Sequence, residues 1–136
     1  MSPTTTPTAE MQRIFALQQA HQWDVKASSA ADRKAKLARL KAAVESRADA
    51  IIAAGLEDTR KPLGEIRVTE VLNVLGNIQR NIDNLDACMA PTEITPSLNP
   101  DDRAQILHEA RGVCLVLGPW NFPLGNPGRK LGAPIA

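Results

Sequence analysis

The sequence has 136 residues, of which 43% are hydrophobic and 23% are charged. These values are typical of one globular domain, or of part of a larger one, and they exclude a disordered chain. There are 16 basic and 15 acidic residues, so the formal net charge is only +1. No nucleic-acid partner is expected, because phosphate binding requires a clustered excess of basic residues. The sequence contains no apolar run of membrane-spanning length and no signal-peptide pattern, so we expect no membrane segment and a cytoplasmic location.

Helical patterns dominate the first two thirds of the sequence. Residues 1–7, rich in Thr and Pro, are predicted to form a disordered arm, and residues 8–100 a helical region. A first helix is predicted from Thr8 to about Trp23. A second is predicted to begin at a capping box, Ser29-Ala30-Ala31-Asp32 with Asp in place of Glu, and to end around 55–58.

A third helix is predicted from about residue 63 to residue 90, after the break at Lys61-Pro62. Its apolar residues recur every three or four positions, which predicts a seam that packs against other helices. The alternative is a groove that binds a partner. Glu65 and Glu70 are predicted to form charge pairs on the surface of this helix. The seam residues are Val71, Val74, Ile78, Ile82, Leu85 and Met89.

The cysteines and histidines show no catalytic or metal-binding pattern. Cys88 and Cys114 lie among apolar residues, so we predict buried, reduced thiols, with a disulfide as the alternative. His21 and His108 have no metal-ligand spacing, and both are interpreted as structural. No metal site is predicted.

The sequence changes character after Pro100. Residues 103–110 are typical of a strand or half of a hairpin, with Arg111-Gly112 as the corner. Residues 113–117 are apolar throughout, which predicts a strand that is covered on both faces, as in a parallel sheet. No other segment of the sequence is a candidate neighbour for such a strand. We therefore expect its partners to come from sequence missing here or, as the alternative, from another chain.

The segment Gly118-Pro119-Trp120-Asn121-Phe122-Pro123 follows this predicted strand. It places Asn121 at the carboxyl end of the strand, where ligands bind in open α/β sheets. A side-chain amide donates hydrogen bonds without carrying charge, which suits a group that stabilises an oxyanion. The alternative is a turn residue that bonds its own backbone. Trp120 either lines a pocket or fills the core.

The last segment, 124–136, is dense in Gly and Pro and is predicted not to form a helix. Gly125-Asn126-Pro127-Gly128-Arg129-Lys130 lacks the spacing of a phosphate-binding loop. Phosphate binding by this loop is kept as an alternative.

Taken together, these segments resemble the aldehyde dehydrogenase superfamily, and most closely its shorter, class 3-like members. The resemblance lies in the helices, in Asp58-Thr59-Arg60-Lys61-Pro62 with Glu65 after it, and above all in Glu109 to Pro123; it extends from about residue 10 to Leu124. It implies an α/β fold in which N-terminal helices and the first strands are present but the chain is truncated before the parallel sheet is complete. Residues 101–112 would form an oligomerisation-type strand, and 113–136 the start of an NAD(P)-binding domain.

The resemblance also implies roles for individual residues. Asn121 would donate its amide to the oxyanion of a thiohemiacetal intermediate, while Pro119 and Trp120 would line the site near the nicotinamide of NAD or NADP. The full-length family oxidises an aldehyde to a carboxylic acid and forms homo-oligomers, which residues 106–109 would help to build. Neither cysteine matches the motif of the family nucleophile, and the general-base glutamate is also absent. The isolated chain is therefore expected to be inactive.

Three further interpretations concern the truncation. The family continues past Leu124 into an apolar helix, which this tail is expected to break; a frameshift or early stop near residue 125 is our hypothesis for that departure. A non-catalytic module that docks through the seam at 71–89 is the first alternative. A functionless relic of poor solubility is the second.

Overall fold

The computed structural model describes residues 7–95, 99 and 101–135. Residues 1–6 of the predicted arm, together with Pro96 and Pro100, lie outside the described residues. The helix from Leu63 to Met89 is continuous, with a π-helical segment in its middle. None of the described helices is both long enough and apolar enough to cross a membrane. The elements are α1 (Thr8–Lys26), α2 (Ala30–Glu45), α3 (Ala48–Thr59), α4 (Leu63–Ile66), the π segment (Arg67–Leu72), α5 (Asn73–Met89), β1 (Thr92–Ile94), β2 (Ala104–Ile106) and α6 (Gly125–Ile135).

The predicted capping box at the start of α2 is confirmed. Ser29 Oγ accepts a hydrogen bond from the backbone N–H of Asp32 at 3.1 Å, and Asp32 Oδ2 accepts one from the backbone N–H of Ser29 at 3.2 Å. The predicted length of this helix is wrong, because a turn at Ser46 and Arg47 separates α2 from α3. The bend allows α2 to pack on α5 while α3 packs on the π segment.

Replacing Ser29 by Ala is expected to destabilise the fold by about 1 kcal/mol, because the helix loses its N-cap. It should also raise the pKa of Asp32, which hydrogen bonds from the Ser29 side chain and backbone hold below its usual value. Because the folded-state pKa is lowered, the stabilisation by Asp32 is present above its ordinary pKa and is lost as the pH falls through the folded value. Urea unfolding and an NMR titration of the Asp32 carboxyl group measure both effects.

The control for this prediction is Ser46→Ala, which removes a hydroxyl that bonds only the Ala43 carbonyl, at the other end of α2. The pKa of Asp32 should be the same in this variant as in the wild type. If Ser29→Ala also leaves the pKa of Asp32 unchanged, the hydrogen bonds of the capping box are not what lowers that pKa.

The core forms where α2 packs on α5, and it confirms the predicted seam. Leu37 and Val44 of α2 are buried against Val74 and Ile78 of α5. The seam residues Val71 and Leu85 are also buried, and Ile82 and Met89 are partly buried. The seam is therefore covered by other parts of the chain. It is not free to serve as the docking face of a non-catalytic interaction module.

The two strands form a short antiparallel sheet. Thr92 pairs with Ile106 and Ile94 with Ala104. The prediction of a strand within 103–110 is confirmed for three of its residues. Its partner lies upstream at β1, so Arg111-Gly112 is not the corner of a hairpin.

The predicted buried strand at 113–117 is wrong for this chain. The structure assigns no strand there, and Leu115 and Leu117 are 83% and 81% exposed. A strand requires a hydrogen-bonded neighbour, and within the described residues none lies beside this segment. The segment thus carries the sequence of a buried strand without the sheet that would bury it.

The prediction that the tail does not form a helix is also wrong, because α6 spans Gly125–Ile135. Pro127 lies in the first turn, where a missing N–H removes no intrahelical bond. The backbone N–H of Gly128 already donates to the Leu124 carbonyl at 2.7 Å. Packing of α6 against the helix from Leu63 to Met89, called the long helix below, overcomes the low helix propensity of the glycines.

Candidate functional site

A turn at residues 120–124 connects the exposed segment 113–117 to α6. Pro119 is exposed, and Trp120 is 85% exposed. Trp120 therefore does not fill the core. Asn121 and Phe122 are half-buried. The motif that the sequence analysis singled out thus lies at the surface, directly before a helix.

Lys61 anchors the first half of this turn. Its Nζ donates a hydrogen bond to the backbone carbonyl of Asn121 at 2.5 Å and lies 3.6 Å from the centre of the Phe122 ring. Glu65 Oε1 is 3.6 Å from the same ammonium group, which confirms a charge pair for Glu65. One cation, supplied by the link between α3 and α4, thus binds both the carbonyl and the aromatic face of the turn.

Glu70 anchors the second half of the turn. Its Oε2 accepts hydrogen bonds from the backbone N–H groups of Leu124 at 2.9 Å and Gly125 at 2.6 Å. The side chain is 2% exposed, so the prediction of a surface charge pair is wrong for Glu70. The first N–H groups of a helix have no intrahelical partners, and they favour a negative charge. Glu70 satisfies two N–H groups at the start of α6 from inside the fold.

Two glycines allow α6 to approach the long helix closely. A Cβ atom at Gly125 would lie 2.4 Å from the backbone oxygen of Thr69, and one at Gly128 would lie 3.0 Å from a methyl carbon of Val74. Only a residue without a side chain fits at the first of these positions. The Gly-rich sequence that disfavours an isolated helix is therefore what lets this helix dock where Glu70 can reach its N-terminus.

The side chain of Asn121 has no hydrogen-bonding partner among the residues that the structure describes. Its backbone carbonyl is held by Lys61, but its amide does not bond its own backbone. The alternative of a self-bonded turn residue is therefore not supported. The amide of Asn121 thus has no described partner, while Lys61 holds the carbonyl of Asn121 and Glu70 holds the backbone N–H groups of Leu124 and Gly125.

Lys61 and Glu70 were not predicted from the sequence as parts of this site. The sequence did contain a signal for Glu70. It lies in a row formed by every fourth residue, and the other members of that row, Ile66, Val74 and Ile78, are each at most 1% exposed. A carboxylate in an otherwise apolar row indicates a buried polar partner. No comparable local signal marked Lys61, whose partner lies 60 residues away.

A groove of about 670 Å³ lies between α5, residues 108–116 and the basic residues of α6. Both cysteines line it, along with His108. The thiols are free, as predicted, but both are exposed, so the prediction that they are buried is wrong. Cys114 is uncovered because the segment 113–117 has no sheet neighbours.

Neither this groove nor a second one of about 450 Å³ between α3 and the long helix includes residues 119–121. Pro119 and Trp120 therefore present an exposed apolar surface rather than an enclosed pocket. An exposed indole offers an aromatic face for contact with another molecule. In the described part of the chain Pro119 and Trp120 do not form a complete dinucleotide site.

Comparison with known proteins gives one consistent result. A family model described as "Aldehyde dehydrogenase family" matches residues 3–136. AldX of Bacillus subtilis (strain 168), named as a candidate aldehyde dehydrogenase, is 38% identical over 127 residues, which are 93% of this chain and 28% of AldX.

Two relatives are named as N-succinylglutamate 5-semialdehyde dehydrogenases. The protein from Caulobacter vibrioides is 36% identical over 68% of this chain and 18% of its own length. The protein from Photorhabdus laumondii is 36% identical over 49% of this chain and 13% of its own length. The chain thus spans less than a third of the length of each of these three curated relatives. The family match includes the tail, so the prediction that the tail departs from the family is wrong, and the frameshift hypothesis loses its basis.

Proposed function

Because the chain belongs to the aldehyde dehydrogenase family, we propose that it is the N-terminal part of an NAD(P)-dependent enzyme that oxidises an aldehyde to a carboxylic acid. The predicted fold class is confirmed, since helices and a small two-stranded sheet fit a truncated N-terminal portion of this α/β fold. The observation that carries the proposed function is the unpaired amide of Asn121 on an anchored turn.

Asn121 is proposed to stabilise an oxyanion. When a nucleophile adds to an aldehyde carbonyl, negative charge develops on the oxygen, and a preorganised neutral donor stabilises that charge. An amide with no partner among the described residues loses no hydrogen bond to them when it binds this oxygen. The nucleophile and the general base are proposed to belong to parts of the family fold that this sequence does not include.

Pro119 and Trp120 are proposed to form one wall of the cofactor site. NAD or NADP, when bound, accepts the hydride from the substrate. The 85% exposed side chain of Trp120 offers an uncovered aromatic face on the same turn as Asn121. This position supports a role in orienting the cofactor beside the reacting carbonyl.

The exposed apolar segment 113–117 supports the assignment to a larger protein. Leu115 and Leu117 are more than four-fifths exposed, and an uncovered apolar strand sequence promotes aggregation. Sheet neighbours in the full family fold would cover it. A functionless relic accounts equally for the exposed leucines, but it gives no reason for an anchored turn with an unpaired amide.

Residues 101–112 are proposed to form a strand for homo-oligomerisation. Ile106 and Leu107 are 46% and 62% exposed, next to a sheet of only two strands. A third strand from another subunit could pair at the open edge. We place the whole protein in the cytoplasm, with an aldehyde as its substrate.

The isolated chain is expected to show no turnover. An oxyanion donor without a nucleophile or a base does not complete the reaction, so NADH or NADPH formation with a panel of aldehydes should equal the buffer rate. The measurement is the absorbance of the reduced nicotinamide, with the purified chain as the sample. Turnover that copurifies with the chain would contradict this prediction.

The proposed function itself is tested with a chimera in which this chain replaces the matched segment of AldX. The 38% identity over 127 residues makes the exchange feasible. Retention of the aldehyde-oxidising activity of the AldX parent, assayed in parallel, would support the proposal. A folded chimera in which Asn121 can be removed without loss of that activity would refute the role of Asn121.

A further inference from the structure

We propose that Glu70 is a positioning residue for the Asn121 amide, because it holds the backbone just after Asn121, and that Lys61 is a second anchor at the Asn121 carbonyl. The inference rests on the proposed function of Asn121. It assigns a role in the reaction to Glu70, a buried side chain of the long helix. Glu70 itself is proposed to touch neither substrate nor cofactor.

The two anchors hold the backbone at the proposed donor and just after it. Lys61 binds the carbonyl of Asn121 itself, and Glu70 binds the N–H groups of Leu124 and Gly125. Only Phe122 and Pro123 lie between the two anchored points. Proline fixes its own φ angle, so few backbone torsions in this turn are left free.

Both anchors are themselves restrained. Glu70 lies in the π segment, 2% exposed, within a continuous helix. Lys61 is held between the Phe122 ring and Glu65. Because Glu70 belongs to the helix that also contributes Val74 and Ile78 to the core, the position of the turn is coupled to the most buried part of the fold.

Stability alone is a weak reason for a carboxylate at position 70. Burying a charged group is costly unless it is paired or hydrogen-bonded, and an apolar residue in the same row would avoid that cost. What an apolar residue cannot do is bind the two N–H groups that follow the Asn121 turn. The carboxylate determines where α6 starts and therefore where the preceding turn lies.

The first test uses NMR on the 136-residue chain. Glu70→Gln keeps the size of the side chain but removes its charge, which weakens the bonds to Leu124 and Gly125. We expect shifts at both of these backbone amides and faster motion of the Asn121 side-chain amide. The matched control is Asp83→Asn, an exposed carboxylate on α5 that bonds only Gln79. Unchanged motion at Asn121 in Glu70→Gln would overturn the inference without using any activity measurement.

The second test is a double-mutant cycle in the AldX chimera. A misplaced donor lowers kcat, and we expect Glu70→Gln to cost about 10- to 10²-fold in kcat with a smaller change in KM. If Glu70 acts through Asn121, the same substitution should have almost no further effect in an Asn121→Ala background.

The outcomes separate the inference from the proposed function. A normal kcat in Glu70→Gln, or an equal loss in both backgrounds, would overturn the positioning role while leaving Asn121 as the donor. A normal kcat in Asn121→Ala would overturn the proposed function instead. Lys61→Met should act in the same direction as Glu70→Gln, because it removes the second anchor and keeps the apolar stem.

Discussion

Replacing Asn121 by alanine in the AldX chimera is expected to lower kcat by about 10²- to 10³-fold, the usual loss when one oxyanion donor is removed. The side chain is half-buried and has no partner among the described residues, so its removal breaks no internal hydrogen bond. KM should change little, because the donor acts mainly on charge that develops in the transition state. Steady-state kinetics with a saturating cofactor measure the effect.

The matched control for this loss is Asn84→Ala, an exposed asparagine on α5 whose amide bonds only the Arg80 carbonyl. Its kcat should equal that of the unmodified chimera. Asn121→Asp offers a second check, because a carboxylate repels the developing negative charge and should be at least as harmful as alanine. Similar kcat values for Asn121→Ala and Asn84→Ala would exclude Asn121 as the donor.

Replacing Ile78 by alanine is expected to destabilise the chain by about 2–5 kcal/mol, through lost burial and the cavity left behind. Ile78 is 0% exposed and packs with Leu37, Val44 and Val74 where α2 meets α5. Such a loss is a large fraction of the stability of a small domain. Urea unfolding followed by circular dichroism measures it.

Leu72→Ala is the control, because it removes the same number of carbon atoms from the same continuous helix. Leu72 is 50% exposed, so less apolar surface returns to water and the loss should stay below about 1 kcal/mol. Equal losses at the two positions would mean that the helix interface is not the core. A wild-type chain without a cooperative transition would favour the relic.

The helix from Leu63 to Met89 connects the two positions, Asn121 and Ile78. Its buried row contains Ile78, which packs in the core, and Glu70, which holds the start of α6. A partial loss of core packing should therefore also loosen the Asn121 turn. In this chain the geometry of the proposed donor depends on residues far from it in sequence.

The sequence by itself determined the features that depend on neighbouring residues. The capping box at Ser29 and Asp32 is a bond between residues three positions apart, and the apolar seam of the long helix is a repeat of three and four positions. Such local patterns act within one element, so they can be recognised without knowing the fold. The motif around Asn121 likewise indicated the family before the fold was known.

Only the tertiary structure decided what depends on distant contacts. The partners of Glu70 lie 54 and 55 residues away, so neither its burial nor the helix at 125–135 could follow from local propensity. The exposure of Cys114, Leu115 and Leu117 had the same origin, because an apolar sequence indicates a preference for burial but cannot supply the neighbouring strands. Local chemistry thus specified most of the helical region up to Met89 and the motif around Asn121, while long-range packing specified α6 and the side chains that hold that motif in place.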